Sequence, residues 1–326
     1  PKYNWKYYSE PEPYLNNRII FCQRGKMLGG CSSHNGMVFV RGNPLDFERW
    51  ASYDLPKWSY KKVLPYFKKL ETWSGGENLY RGGHGPLKVN RSKIDDAFPL
   101  FKSLIKAAAE AGYDTFEDSN GFKQDGFGTF DVTIDNGQRQ GVSRAYLKEM
   151  NGYKNLSIEH NTDVLKIIFK EKKAIGVEVK RNNHSEIYYC NKEIILSAGS
   201  INSPKILQLS GIGDEKLLSQ NGIDIINHLP GVGKNLQDHL EIYIQHKSKI
   251  KDTLYNLSTN YFTQAVEGAK WFLLKKGMLT YSHLEVGGFV KTTEKYKHPN
   301  IQFHFFPSLV INHGLTNPSF DGFQFH

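Results

Sequence analysis

The spacing of apolar residues along the chain predicts helices in its first part and strands afterwards. Apolar residues recur at helical spacing between residues 58 and 70 and again between residues 97 and 111, which predicts two amphipathic helices. From residue 155 onward, short apolar runs separated by turn residues predict strands instead. These strands are expected at residues 157–159, 164–169, 174–179, 194–196, 243–246, 286–290 and 301–306.

One predicted strand leads directly into a turn and a helix. The run 194–196 is fully apolar and passes into Ser-Ala-Gly at 197–199, after which Ser203 and Pro204 offer a helix N-cap and a first helical residue. In dinucleotide-binding domains, a strand, a glycine turn and a helix present backbone amides to phosphate. The segment therefore predicts an α/β dinucleotide-binding region, and a second, sheet-based region is expected from about Leu240.

Length and charge narrow the class of protein. The 326 residues exceed one ordinary hydrophobic core and indicate about two domains. The hydrophobic content of 39% and the 30 glycines are typical of a globular chain with many turns. The net charge is +9, but the lysines occur singly and in pairs. Since nucleic-acid binding usually needs a clustered basic footprint, we expect a solvated surface and no nucleic-acid partner.

The cysteines and the lengths of the apolar runs indicate the cellular compartment. Cys22, Cys31 and Cys190 have no metal-ligand spacing and leave an odd thiol, which favours a reducing compartment on the cytoplasmic side and no metal site. The apolar runs are far shorter than the ~20 residues of a membrane helix, although peripheral membrane contact stays open. Because Pro1 is not a methionine and residues 322–326 resemble the middle of a strand, both ends are expected to be cut.

Two motifs together indicate a family. The glycine-rich segment GKMLGGCSSHNGM at 25–37 is ambiguous alone, because any tight loop can contain such glycines. The segment GSINSPKILQLSGIG at 199–213, however, matches the second signature of glucose-methanol-choline oxidoreductases, and the first segment matches their first signature. Further stretches, including WSY at 58–60, GFG at 126–128 and NLQDHLE at 235–241, extend the resemblance over almost the whole chain. Within the family, the chain resembles the bacterial choline dehydrogenases.

The resemblance implies an α/β domain for FAD interleaved with a substrate domain built on an antiparallel sheet. Residues 1–58 would form the flavin-lining loop and part of the FAD domain, 59–154 substrate-domain helices, 155–239 FAD-domain strands, and 240–326 the substrate-domain sheet. No G-x-G-x-x-G occurs in the sequence, so the loop that holds the ADP half of FAD is expected upstream of Pro1. The family's catalytic histidine is expected beyond His326, and no catalytic residue is predicted within the chain.

The resemblance also assigns cofactor contacts. His34 and Cys31 depart from the usual first signature, and the stretch around His34 is similar to that of choline oxidase, whose histidine is bonded covalently to the flavin. A neutral imidazole nitrogen is a suitable nucleophile for that bond, whereas a lone loop histidine is otherwise a polar contact. Val164 would contact the adenine through its backbone, or serve only as a strand core residue. The predicted flavin-lining residues are Gly29, Gly30, His34, Asn35, Gly36, Met37 and Val38.

Two residues are predicted to contact the substrate. The segment 283–290 alternates as a strand, with Glu285 on the face that could line a cavity. The resemblance implies that Glu285 contacts a trimethylammonium group, and the alternative is a solvated glutamate on an exposed sheet face. His313 lies where the resemblance implies a second substrate contact, although a surface histidine is the competing interpretation.

The implied reaction is FAD-dependent oxidation of a primary alcohol. Choline would give betaine aldehyde and then glycine betaine, with hydride passing to the flavin N5 and electrons then passing to oxygen or a membrane quinone. Three alternatives stay open: a dehydrogenase of the same family for another alcohol, an FAD-containing hydroxynitrile lyase, and an inactive fragment.

Overall fold

The computed structural model describes residues 2–92, 94, 99–150, 152–251, 253–311, 314 and 316–326. Its helices are α1 (Pro44–Ala51), α2 (Tyr60–Leu70), α3 (Pro99–Glu110), α4 (Gly199–Leu209), α5 (Glu215–Gln220), α6 (Tyr255–Thr259) and α7 (Tyr261–Leu274). The strands are β1 (Tyr7–Tyr8), β2 (Phe21–Cys22), β3 (Val38–Phe39), β4 (Glu71–Trp73), β5 (Leu87–Arg91), β6 (Thr115–Phe116), β7 (Gly126–Thr129), β8 (Asp131–Val132), β9 (Ile134–Asp135), β10 (Gln138–Arg139), β11 (Asp163–Lys170), β12 (Lys173–Arg181), β13 (His184–Tyr189), β14 (Ile212–Gly213), β15 (Asn227–His228), β16 (Ile244–Lys247), β17 (Val286–Val290), β18 (Ile301–Phe306) and β19 (Gly322–Phe325).

The chain divides into two compact units. Unit 1 consists of Pro1–Tyr153 and Glu241–His326, and unit 2 consists of Lys154–Leu240. No helix in the described part of the chain is long and apolar enough to cross a membrane, and the described residues contain no cluster of three or more histidine, cysteine or acidic side chains suited to a metal.

Unit 1 contains a large, mostly antiparallel sheet. Its strand order is β16-β19-β18-β17-β7-β6, with only the β6–β7 pair parallel among these strands. Val286 of β17 is fully buried in a cluster with Phe101 of α3, Leu254 and Phe305 of β18. The antiparallel sheet predicted for the end of the chain is therefore confirmed, and the predicted strands 286–290 and 301–306 coincide with β17 and β18.

A smaller sheet of unit 1 carries the glycine-rich segment. Its order is β3-β8-β5-β4, and β3 follows that segment directly. Val38 and Phe39 of β3 pair with Val132 and Asp131 of β8. Because β3 is only two residues long, its position depends on β8, which in turn pairs with β5.

The two predicted amphipathic helices are confirmed as α2 and α3. Helix α2 begins at Tyr60, whose backbone N–H donates to the Glu48 side chain at 3.0 Å, which satisfies one of the free amides of the first turn. Helix α3 buries Phe101 completely. The apolar spacing therefore identified both helices and their inward faces.

Unit 2 is built on the antiparallel sheet β11-β12-β13 with α4 against it. The buried side chains Ile167, Val179 and Ile206 form part of its interior. Ser210, just after α4, accepts a hydrogen bond from the Ile167 backbone N–H at 2.8 Å. The predicted strands 164–169 and 174–179 are thus confirmed within β11 and β12.

Three local predictions in unit 2 are wrong. Residues 157–159 and 194–196 form no strand, and Ile195 is 78% exposed. A strand persists only when its amides find a ladder partner, and none lies beside these runs in the part of unit 2 that the structure describes. Helix α4 begins at Gly199 rather than Pro204, so Ser203 is not its N-cap but lies inside the helix, where its Oγ accepts from the Ala198 N–H at 3.0 Å.

Candidate functional site

The glycine-rich segment makes a tight turn in which Gly25 and Gly29 have no room for a side chain. Gly29 and Gly30 have φ values of +86 and +53 and begin a single 3-10 turn. A Cβ on Gly25 would lie 2.5 Å from the Gly30 carbonyl oxygen and 2.9 Å from Cδ2 of His34. The His34 ring therefore lies against backbone, and the residue is exposed.

The four residues after His34 are fixed by unit 1. The Arg139 Nη1 donates at 2.7 Å to both the carbonyl and the side-chain oxygen of Asn35. The Met37 carbonyl accepts from the Thr133 backbone N–H at 2.8 Å and from its hydroxyl at 3.2 Å. Met37 has φ +62, and Val38 then enters β3. The segment 35–38 is thus a backbone-defined wall.

This wall borders a cavity of about 340 Å³ in unit 1. The opposite side comes from the antiparallel sheet and from the residues just before β16. The lining residues are Asn35, Gly36, Met37, Val38, Val40, Glu241, Leu284, Gln302, His304 and His326. A Cβ on Gly36 would lie 2.8 Å from Cδ1 of Leu284, so the absence of a side chain at Gly36 lets the sheet approach the wall.

Two histidines of this cavity were not identified from the sequence. His304 of β18 and His326 after β19 exchange backbone hydrogen bonds of 2.6 and 3.0 Å, and their rings stack with centroids 5.5 Å apart. Burial lowers the pKa of His326, while the Glu241 carboxylate acts in the opposite direction. Strand alternation places Gln302 and His304 on one face of β18, and this alternation was the sequence signal that could have identified His304 as a cavity residue.

Glu285 faces a different and larger cavity. It is 1% exposed, and its Oε1 accepts from the Ser282 N–H at 2.6 Å. Among the described residues, its Oε2 has no hydrogen-bond partner. Burial raises the pKa of Glu285. The cavity measures about 1230 Å³ and is lined by, among others, Asn90, Arg91, Val132, Ile134, Lys270, Tyr281 and Glu285.

The alternative of a solvated Glu285 is wrong, because both faces of its strand are covered. Val286 is fully buried on the α3 side, and Phe289 is 7% exposed on the other face, where it packs against Phe116 and Phe130. The adjacent His283 has φ +68, and burial lowers its pKa to about 4. The carboxylate therefore lies in an enclosed, low-dielectric environment.

Of the two remaining predicted site residues, the structure describes Val164, which lines neither cavity. Val164 in β11 of unit 2 pairs with Val179 but is 42% exposed, so its side chain is not the core residue expected. Its backbone contact with adenine stays a prediction. His313 lies outside the described residues.

The segment around His34 has the properties that a flavin ring requires. A planar ring needs a firmly held surface that it can approach closely, and residues 35–38 include Gly36, which has no side chain, on a backbone held by Arg139 and Thr133. A Cβ on Gly30 would meet no atom within 4 Å, so the turn is open on that side. The residues present therefore fit an FAD ring at this wall.

Comparisons with known proteins identify the family of the chain. The family model described as "GMC oxidoreductase" matches residues 12–241 of this chain. The chain is 44% identical over 329 residues to an oxygen-dependent choline dehydrogenase of Staphylococcus xylosus, covering 99% of this chain and 58% of that protein. It is 41% identical over 325 residues to the mitochondrial choline dehydrogenase of Mus musculus, covering 100% of this chain and 54% of that protein.

Solved structures show the same fold. A formate oxidase superposes with a TM-score of 0.89 at 24% identity, covering 100% of this chain and 62% of its own. An FAD-dependent oxidoreductase from Chaetomium thermophilum superposes with a TM-score of 0.80 at 32% identity, and the match covers 88% of this chain and 52% of that one. The chain spans a little over half the length of the relatives it matches. The family match over most of the sequence, together with these identities, shows that the chain belongs to the glucose-methanol-choline oxidoreductase family, which binds FAD.

Proposed function

We propose that the complete protein oxidises the primary alcohol of choline to betaine aldehyde. The observation that carries the proposal is the buried carboxylate of Glu285, which faces a cavity with one oxygen lacking a hydrogen-bond partner among the described residues. Relatives named choline dehydrogenase at 41–44% identity support the same substrate. When bound, FAD would supply the hydride acceptor.

Glu285 is proposed to bind the trimethylammonium group. A quaternary ammonium has no N–H donor, so recognition depends on charge and on aromatic faces. The Ser282 N–H holds Oε1 in place, whereas Oε2 has no hydrogen-bond partner among the described residues. A cation nearby would lower the pKa that burial raises. At about 4 Å and an effective dielectric near 20, the gross attraction is roughly 4 kcal/mol before desolvation.

The test compares choline with 3,3-dimethylbutan-1-ol, which has the same shape without the charge. In the complete enzyme, Glu285→Gln should lower kcat/KM for choline at least about tenfold and leave the neutral alcohol nearly unchanged. Glu294→Gln is the control, because that side chain is 95% exposed. Equal losses for both alcohols would show that Glu285 does not read the cation.

A covalent bond between His34 and the flavin is also proposed. The ring of His34 lies against Gly25, beside the wall formed by Asn35, Gly36, Met37 and Val38, which we propose as the flavin contacts with Gly29 and Gly30. After acid precipitation of the complete enzyme, yellow colour should stay with the protein, and His34→Ala should release it. The exposed His84 provides the control as His84→Ala. Free FAD from the wild type would contradict the bond.

Bleaching of the flavin absorbance distinguishes two alternative functions within the family. A dehydrogenase for an uncharged alcohol has no use for the buried Glu285 carboxylate, and a hydroxynitrile lyase does not reduce its flavin. Anaerobic addition of choline should bleach the flavin absorbance of the complete enzyme. Bleaching by uncharged alcohols alone would favour the first alternative, and no bleaching with any alcohol the second.

We propose that α7 makes peripheral contact with the cytoplasmic side of a membrane. Its polarity is the reverse of an ordinary surface helix, because an acidic side chain is buried and apolar side chains are exposed. Its Glu267 is 6% exposed and accepts from the Met278 N–H at 2.7 Å, whereas its outer face is apolar. The exposed apolar side chains are Tyr261, Phe262, Val266, Phe272, Leu273 and Leu274. Lys275 and Lys276 follow the helix and suit anionic headgroups.

The contact is testable with vesicles. The complete protein should sediment with anionic vesicles, and Phe272→Ser with Leu273→Ser should abolish this. Equal recovery of the variant and the wild type would contradict a role for α7.

Oxygen and a membrane quinone are both candidate electron acceptors. Peroxide formation during choline turnover would indicate oxygen, and its absence would indicate the quinone.

A further inference from the structure

Arg139 lies in a hairpin that is anchored to the rest of unit 1. It pairs with Ile134 across the strands β9 and β10, and the turn between these strands has left-handed backbone at Asn136 (φ +49) and Gly137 (φ +64). The Nε1 atom of Trp271 in α7 donates to the Gly137 carbonyl at 2.7 Å. Because this contact fixes the tip of a tight hairpin, Arg139 extends from a firmly held support.

The guanidinium of Arg139 binds the glycine-rich segment through oxygens that carry no formal charge. Its Nη1 atom donates to the carbonyl and the side-chain oxygen of Asn35, each at 2.7 Å, and to the Ser32 carbonyl at 3.3 Å. In the part of the chain that the structure describes, none of its polar contacts is a carboxylate. Burial lowers the pKa of Arg139, but a guanidinium stays protonated at neutral pH. A half-buried positive charge therefore lies here without a compensating anion.

The peptide between Asn35 and Gly36 connects this charge to the cavity of about 340 Å³. In a planar trans peptide, the N–H points away from the carbonyl. Because the Asn35 carbonyl faces Arg139, the Gly36 N–H is directed away from Arg139. Gly36 borders the cavity, whereas Arg139 does not, and no described residue accepts from the Gly36 N–H. The wall thus has a backbone donor on its cavity side.

The guanidinium strengthens this donor. A cation at the carbonyl oxygen polarises the amide, and polarised groups reinforce one another in a low-dielectric interior. Preorganised donors and fixed charges stabilise a group that gains negative charge, because they need no rearrangement when the charge develops. Arg139 and the Gly36 N–H are therefore arranged to favour a ring that has accepted electrons over the same ring before it accepts them.

We propose that Arg139 is a positioning residue that raises the reduction potential of the flavin. It acts through the peptide between Asn35 and Gly36, because it orients the N–H toward the ring and places a positive charge behind the wall. The inference rests on the proposed flavin contacts at residues 35–38. It does not depend on which alcohol the enzyme oxidises.

The test compares Arg139→Gln with Arg139→Lys in the complete, flavin-loaded protein, with no alcohol present. Reductive titration against a reference dye gives the midpoint potential of the flavin. Arg139→Gln should shift the ratio of oxidised to reduced flavin at least about tenfold toward the oxidised form, or about 30 mV for a two-electron couple. Arg139→Lys keeps the charge and should retain most of the wild-type potential.

The control is Arg49→Gln, which removes the same charge from a side chain that is 60% exposed. Water and salt screen such a charge, so the potential should be unchanged.

Sulfite gives a second readout, because its addition to the flavin ring leaves a negative charge on that ring. Arg139→Gln should weaken the affinity for sulfite at least about tenfold, and Arg139→Lys much less. A residue that only supports the fold would respond alike to both substitutions, since neither keeps the planar guanidinium. Equal shifts in the two variants would overturn the proposal, as would an unchanged potential in Arg139→Gln.

Asn35→Asp decides the question if Arg139→Gln does not retain flavin. Its carboxylate could accept the same hydrogen bonds from Arg139 while cancelling the positive charge, so the potential should fall. An unchanged potential in this variant would contradict the proposal.

Gly36→Ala separates the role of Arg139 from the position of the flavin. The added methyl group would lie at the wall, 2.8 Å from Cδ1 of Leu284, and should alter the flavin absorbance spectrum if the ring lies there. An altered spectrum with an unchanged potential in Arg139→Gln overturns only the role of Arg139, whereas an unaltered spectrum overturns the flavin position as well. If the enzyme oxidises no choline but the potentials shift as expected, the inference stands and the proposed substrate fails.

Discussion

Arg81 should be among the most sensitive positions of unit 1 to substitution, because it joins three carboxylates in the interior. Its side chain is completely buried. The Nε and Nη2 atoms donate to Glu71 at 2.9 and 3.2 Å, and Nη1 donates to Asp131 at 2.6 Å and to Asp118 at 2.7 Å. The guanidinium also lies 4.4 Å from the ring centroid of Trp73.

The network bears on the candidate site through strand pairing. Asp131 lies in β8, where it pairs with Phe39 of β3, the strand that follows the wall 35–38. Burial would lower the pKa of Arg81, but the hydrogen bonds that Arg81 donates to Glu71 and the charges of Asp131 and Asp118 overcome that effect and raise the pKa. The guanidinium is therefore a permanent cation that holds β4 and β8 together.

The expected loss follows from what Arg81→Met leaves behind. Glu71 keeps Arg41 at 2.7 Å, and Asp131 keeps Arg91 at the longer distance of 3.4 Å. Removing one partner of a buried ion pair typically costs about 3–5 kcal/mol, and we expect a loss in that range. Arg81→Lys keeps the charge without the planar fork and should lose less.

The matched control is an exposed pair in the same unit. Lys106 and Glu110 are 79% and 67% exposed and lie 3.7 Å apart on α3. Exposed pairs at this helical spacing contribute about 0.3–0.5 kcal/mol, so Lys106→Met should change the free energy of unfolding by no more than that.

Urea unfolding followed by tryptophan fluorescence measures both variants. All five tryptophans, at positions 5, 50, 58, 73 and 271, belong to unit 1, so the signal reports this unit. Far-ultraviolet circular dichroism tests whether the transition is two-state. A loss below about 1 kcal/mol for Arg81→Met, or one equal to that of Lys106→Met, would refute the reasoning.

Two further substitutions test the packing and the burial near Glu285. Gly287→Ala should destabilise unit 1 by about 1–3 kcal/mol, because its Cβ would meet the Phe303 carbonyl oxygen. The control is Gly268→Ala in α7, whose Cβ would meet no atom within 4 Å and which should be neutral or slightly stabilising. Equal effects of the two substitutions in urea unfolding would contradict this. His283 has a folded pKa of about 4, below the ordinary 6.5, so stability should fall as pH drops between these values, by up to about 3 kcal/mol. His283→Asn, which tolerates the positive φ, should remove that fall, and an unchanged pH profile would contradict it.

Several features of this protein follow from short stretches of sequence. Helices α2 and α3 and strands β11, β12, β17 and β18 were predictable because their periodicity is complete within each segment. The two signatures at 25–37 and 199–213 indicated the family, since they record which small residues a backbone needs where it turns tightly or approaches a ligand.

Other features depend on which distant segments meet. The runs 157–159 and 194–196 are apolar enough for strands, yet they have no ladder partner in the described part of unit 2. Glu285 could be placed on one face of its strand from sequence, but what covers that strand depends on α3 on one face and on the aromatic cluster of Phe116 and Phe130 on the other. The periodicity of apolar residues indicates which side chains share a face of a helix or strand, but it does not indicate which other segments cover that face.

The cavity beside residues 35–38 shows the same division most clearly. Asn35 lines this cavity and was already predicted as a flavin contact, because it lies in a recognisable motif. His304, His326 and Glu241 lie in separate segments, and the pairing of β18 with β19 and of β19 with β16 brings them together. Strand pairing is a long-range choice between compatible surfaces, and a local pattern carries no record of the partner. Only the tertiary structure therefore decided which polar side chains face the predicted flavin wall.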